Sequence, residues 1–156
     1  MTNASEQDEA LYLDDLHVGM TFTSTTHQLD EQQVIAFAKE FDPQPFHLDP
    51  EAANKSLLGG LSASGWHTAA LTMKLITSIR PLYATGILGL GGEIAWPKPT
   101  RPTDLLRVVA KIVEITPSRS RPDRGIVTME CQTLNQRDEV VQLLKPKLVM
   151  FRRGKR

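Results

Sequence analysis

One long apolar segment, Trp66 to about Tyr83, is followed by four strand candidates, and that order constrains the fold more than any other feature of the chain. Its apolar residues (Trp66, Ala69, Ala70, Leu71, Met73, Leu75, Ile76, Ile79, Leu82) cover most of a helical circumference. A helix apolar on so many sides is normally enclosed by other structure. Pro81 limits its end. Downstream, Ile87 to Trp96, Leu105 to Ile115, Ile126 to Leu134 and Val140 to Phe151 have strand character. Pro97, Pro99 and Pro102, the charged run Arg119 to Gly125 and a tight connection at Asn135 to Glu139 separate them. An antiparallel sheet wrapped around one central helix accommodates both halves of the pattern, which makes this an α+β domain.

Upstream the elements are shorter. Gly19 to Leu29 is rich in Thr and apolar residues and reads as a strand. Asp30-Glu31-Gln32-Gln33 has the form of a capping box, and Val34, Phe37, Ala38 and Phe41 mark the apolar stripe of a short helix. Asp42-Pro43-Gln44-Pro45 stops that helix. A second short helix is expected from Asp49, with Pro50 at its first position. Residues 1–11 read as a flexible tail and 12–156 as one domain, without repeat or linker.

Composition excludes several function classes. The 156 residues suit one domain, and Lys+Arg and Asp+Glu are both 18, a formal net charge of zero. A general nucleic-acid binder would carry a basic excess. Cys131 is the single cysteine, which fits a reducing compartment. The polar, acidic N-terminus is unlike a signal peptide, and no apolar run reaches a membrane span of roughly 20 residues. A cytoplasmic location is expected, with neither nucleic acid nor membrane as partner.

The chemistry concentrates in Phe41-Asp42-Pro43-Gln44-Pro45-Phe46-His47-Leu48-Asp49-Pro50. A carboxylate and an imidazole five residues apart on a proline-bounded turn could both face one water molecule. Imidazole, with an ordinary pKa of about 6.5, exchanges protons near neutrality. A carboxylate at about 3.9 becomes a useful base once burial raises its pKa. The bland alternative is a turn opener followed by an unrelated histidine.

The setting of that pair resembles the hydratase motif of MaoC-like and R-specific enoyl-CoA hydratases. Ser64-Gly65-Trp66 looks like the glycine that opens that family's hot-dog helix, and Trp96-Pro97-Lys98-Pro99-Thr100-Arg101-Pro102-Thr103-Asp104 is similar to the segment where its strands resume. The resemblance implies a hot-dog dimer that adds water reversibly to a trans-2-enoyl thioester, giving an R-3-hydroxyacyl thioester. It implies that Asp42 and His47 activate the water, that Gly65 gives its N–H to the thioester oxygen, and that Gln44, Phe46, Ser64 and Trp66 contact substrate. Three positions depart from the family pattern. Gln44 stands where Asn is usual, Ser64 where His is frequent, and Phe41 where glycine commonly precedes the aspartate.

Other residues read as structural. Asp49 caps a helix, His67 is a partly buried helical histidine, and His17 and His27 lack partners at metal-ligand spacing. Cys131 is a buried thiol, and Gly89-Leu90-Gly91-Gly92 is followed by no helix, so it is no dinucleotide fingerprint. Arg119, Arg121 and Arg124 form a solvated loop, though these, Lys98 or Arg101 could meet CoA phosphates. The expectation is therefore a hydro-lyase without cofactor or metal, of fatty-acid type, acting on a CoA or acyl-carrier-protein thioester as a homodimer or higher homo-oligomer. Thioester hydrolysis and non-catalytic acyl-CoA binding are the alternatives, because a fold does not fix a function.

Overall fold

The computed structural model describes residues 9–154, so most of the expected N-terminal tail lies outside the described residues. The nearest described part is held: the Leu11 N–H donates to the Leu82 carbonyl at 2.8 Å, and Ala84 N–H to the Leu11 carbonyl at 2.8 Å. Leu11 thus belongs to the domain and not to a tail.

The chain runs through β1 (Thr21–Gln28), α1 (Glu31–Phe41), α2 (Pro45–Leu48), α3 (Pro50–Asn54) and α4 (Gly65–Ile76). Four strands follow: β2 (Leu88–Ala95), β3 (Leu105–Pro117), β4 (Arg124–Leu134) and β5 (Val140–Phe151). They form one antiparallel sheet in the order β1-β3-β4-β5-β2. This is the hot-dog arrangement of the α+β class, a sheet curled around one helix.

The alternation of β3 and β4 explains the core. Leu106, Val108, Ala110 and Ile112 point inward from β3, and Val127, Met129, Cys131 and Thr133 from β4, all essentially buried. Register sets Ala110 opposite Cys131 and Ile112 opposite Met129, so the inward set is shared across strands. Leu71, Leu75 and Ile76 of α4 close the core from the other side. Each large apolar side chain removed from water contributes roughly 1.5–3 kcal/mol. In β2, Gly92 has φ +154° and a Cβ there would overlap the Lys145 carbonyl, so the glycine-rich run lets β2 bend closely across β5.

Four expectations need correction. The central helix ends at Ile76, well short of Tyr83, because Thr77 and Ser78 turn their hydroxyls back onto the Lys74 and Leu75 carbonyls at 3.0 and 2.5 Å. It is also not enclosed all round: Trp66 and Met73 are exposed, while His67, Thr68 and Thr72 are buried. Pro45 starts a helix as well as following one, since a first-turn proline loses no hydrogen bond. The capping box is half formed: Asp30 accepts from Gln33 N–H at 2.8 Å, but the Gln33 side chain returns to the Asp30 carboxylate and not to its backbone N–H.

Candidate active site

Asp42 is the residue at which α1 stops, its N–H still donating to the Ala38 carbonyl at 2.9 Å. The C-terminal end of a helix disfavours an anion, but the N-terminus of α4 favours one, and Asp42 reaches toward that second end. Ser64, the N-cap of α4, donates its hydroxyl to Asp42 Oδ2 at 2.6 Å. The Gln44 amide donates to Asp42 Oδ1 at 2.5 Å. Both carboxylate oxygens are therefore held from different segments of the chain.

His47 sits on α2, 6% exposed, with Phe46 edge-on to its ring at 4.6 Å between centroids. Its Nδ1 lies 2.6 Å from the Ser62 carbonyl, an acceptor only, so Nδ1 carries the proton. Nε2, 3.3 Å from Asp42 Oδ2, is then left with a lone pair when the ring is neutral and donates to Asp42 when it is charged. The Ser62 carbonyl is itself fixed. Arg101 donates to the Leu58 and Gly60 carbonyls at 2.6 and 2.9 Å and to Ser62 Oγ at 2.9 Å, bracing the loop.

Burial pushes the Asp42 carboxyl up, but the hydrogen bonds from Ser64 and Gln44 and the charge of His47 outweigh it. The net position is below the ordinary carboxylate value. This reverses the expectation that burial would make Asp42 the base. The geometry instead gives a carboxylate held by two hydrogen bonds, 3.3 Å from a histidine nitrogen that the Ser62 carbonyl leaves without a proton in the neutral ring.

His47 and Gly65 line one cleft of about 200 Å³, together with Ser62, Thr68, Trp96 and Thr100. Gly65 occupies the first turn of α4, where backbone N–H groups have no intrahelical partner. A Cβ on Gly65 would lie 2.7 Å from the Trp96 ring, so only glycine permits this approach. An open N–H at a helix N-terminus beside an imidazole–carboxylate pair can stabilise an oxyanion while a proton moves nearby.

Among the expected substrate contacts, Gln44 and Ser64 are turned onto Asp42, and Phe46 packs behind His47 against the core. Trp66 is 60% exposed and meets Trp96 edge-on instead of lining the cleft. Trp96 and the Ser62 carbonyl were not anticipated as site groups. Of the cations suggested for CoA, Arg101 is spent on loop carbonyls, Lys98 pairs with Glu139 and Arg124 with Asp123. Asp49 caps α3 through Glu51 N–H at 3.0 Å, and Cys131 is buried, its thiol pushed up to about 12 by burial and then by the charge of Glu130.

Comparison with known proteins agrees with the fold. A family profile described as "MaoC like domain" matches residues 15–134. A crystal structure of a MaoC-like dehydratase from Rhodospirillum rubrum is 58% identical, with TM-score 0.91, over 94% of this chain and all of that one. The unliganded R-hydratase PhaJ1 from Pseudomonas aeruginosa has the same fold, with TM-score 0.73 and 24% identity over 93% of this chain and 88% of that one. Among curated sequences, the uncharacterized protein YdeM of Bacillus subtilis (strain 168) is 32% identical over 129 residues, 81% of this chain and 89% of YdeM.

Proposed function

Because the chain belongs to the MaoC-like domain family, we propose that it is a hydro-lyase that adds water reversibly to a trans-2-enoyl thioester to give an R-3-hydroxyacyl thioester. The observation that carries this reading is the His47 tautomer: its proton is committed to the Ser62 carbonyl and its lone pair faces Asp42 beside the open Gly65 N–H.

A water held between His47 Nε2 and Asp42 gives its proton to Nε2 as its oxygen bonds to C3 of the enoyl group. The C2–C3 π electrons move toward the carbonyl, and the thioester oxygen, now enolate, accepts from Gly65 N–H. The imidazolium is held by the Asp42 anion until it returns the proton to C2. Dehydration is the reverse. General acid–base catalysis of this kind contributes about 10²–10⁴ in rate, and an oriented oxyanion donor about 10²–10³. No step calls for a metal or a cofactor.

The exposed edge strand β2, with Leu88 and Leu90 open along it, supports pairing with a second copy of the chain. Among the described residues no helix is long and apolar enough to cross a membrane.

The test offers trans-2-enoyl-CoA esters of short, medium and branched chain to the protein, following enoyl absorbance and free thiol together. Loss of the double bond with the thiol still esterified is expected. Thiol release with the double bond intact would replace the hydratase by a thioesterase, and saturable binding without either change would make it a binding subunit.

A further inference from the structure

Trp96 follows β2 directly, and its ring lies so close to Gly65 that a Cβ there would meet it at 2.7 Å, on the wall of the cleft that both residues line. The ring is 40% exposed and touches Trp66 only edge-on, so surface packing alone does not fix it. A buried chain of hydrogen bonds does. The indole Nε1–H donates to Gln142 Oε1 at 2.9 Å. Gln142, on β5, is fully buried, and its amide nitrogen donates to Thr72 Oγ1 at 2.9 Å.

The direction of that chain is fixed. Indole N–H is a donor only, so Gln142 must present oxygen to Trp96 and nitrogen to Thr72. Thr72 places its own proton on the Thr68 carbonyl at 2.8 Å, so Thr133, 2.6 Å away, donates to Thr72. A glutamine fully buried inside the sheet is costly unless its amide is satisfied, and here one of its partners is the wall of the cleft.

We propose that Gln142 is a positioning residue that holds Trp96 over Gly65, and that Trp96 is the wall against which the acyl thioester is fitted. The inference rests on the cleft being the thioester site. Without Gln142 the indole swings away from the helix N-terminus, and the thioester binds less well although Asp42 and His47 are untouched.

The experiment uses the full-length protein and the ¹H–¹⁵N signals of its two indoles, assigned with Trp66→Phe, and titrates butyryl-CoA, which has no double bond to hydrate. The Trp96 signal should exchange slowly with water and move on titration. Gln142→Leu should make it exchange rapidly and weaken butyryl-CoA roughly fivefold, the scale of one lost hydrogen bond. With an enoyl-CoA the same variant should raise KM by about that factor while kcat stays within about twofold. Gln142→Glu, whose protonated carboxyl keeps an acceptor for the indole and a donor for Thr72, should restore both. Trp96→Phe tests the same bond from the other side, and should raise KM as Gln142→Leu does, even if that leucine variant folds poorly.

A Trp96 signal indifferent to butyryl-CoA overturns the proposal, as does Gln142→Leu with unchanged exchange and affinity. The two readings separate cleanly. Movement of Trp96 by butyryl-CoA in a protein that hydrates no enoyl-CoA keeps this inference and removes the hydratase. Hydration without movement of Trp96 does the opposite.

Discussion

The two ends of α4 are both hollow, yet they are built from opposite materials. At the N-terminal end a cleft of about 200 Å³ is lined by His47, Ser62 and Gly65, and beside it Asp42 lies 3.3 Å from His47 and accepts from Ser64, with hydrogen bonds that fix which atom donates and which accepts. At the C-terminal end a cavity of about 120 Å³ is lined by Phe22, Ile76, Leu82, Tyr83, Ala110 and Met129. The Tyr83 phenol in its lining is pushed up to about 12 by burial and then by the charge of Cys131, and among the described residues its hydroxyl donates to Met129 Sδ alone, at 3.8 Å. Space alone therefore does not make a site. Chemistry needs a basic nitrogen left free by its neighbours, an anion that stays ionised, and an unsatisfied N–H.

The comparison breaks most visibly through paired substitutions. Asp42→Asn or His47→Gln should each lower hydration by about 10³ with little change in thermal midpoint. Met129→Ala should do the reverse, costing about 2–4 kcal/mol of stability with kcat/KM nearly unchanged. Steady-state kinetics and thermal denaturation on the three variants check this. An inactive but stable Met129→Ala would erase the distinction between the two ends.

Gly65→Ala comes next. The added methyl would meet the Trp96 ring at 2.7 Å, so the ring or the helix start must move away from the oxyanion position. Turnover should fall by about 10², the scale of one lost oxyanion donor, measurable as kcat.

Ser64→Ala is smaller, about tenfold in turnover, since Asp42 keeps Gln44 and His47. The loss of the cap should also cost about 1 kcal/mol. The depressed Asp42 pKa stabilises the fold fully above its ordinary value of 3.8, and that contribution is lost as pH falls through the lower folded value. Removing Ser64 should raise that folded value toward the ordinary one, so the contribution shrinks and its loss is complete at a higher pH, which denaturation at a series of acid pH values would record.

His67 gives the smallest effect on catalysis and a distinct one on stability. Its ring stacks on Phe37 at 4.5 Å, and its Nδ1 has no hydrogen-bond partner among the described residues. Burial, then the charge of His27, lowers its pKa from 6.5 to about 4. The neutral ring favours the fold, so this stability is complete above pH 6.5 and declines as pH falls toward about 4. His67→Phe should flatten stability over that window and leave kcat near wild type. An unchanged slope would show that other groups govern acid sensitivity.

The contrast between the ends also explains what the sequence made legible. Period-two alternation in β3 and β4 is a local signal, and the sheet follows from it directly. Asp42 and His47 are close in sequence and fall on adjoining elements, so their pairing was readable from spacing and family resemblance. The Ser62 carbonyl was not, because every residue carries one and only the fold aims it at an imidazole. Trp96 was visible as a residue but not as a wall, since its contact with Gly65 depends on β2 bending across β5. The direction of the Asp42 shift was hidden for a related reason. The serine that lowers it arrives from the next helix, and burial alone argues the other way. The helix end was misplaced because apolar residues continue to Leu82 while the backbone turns away at Thr77.

The most direct measurement of the central claim is to run the reaction in water carrying ¹⁸O and deuterium and to analyse the product by mass spectrometry. A thioester with one ¹⁸O at C3 and one deuterium at C2, formed by the wild type and not by an Asp42→Asn/His47→Gln double variant, is the predicted result. An ¹⁸O found in a free carboxylate, or label incorporated equally well by the double variant, would contradict it.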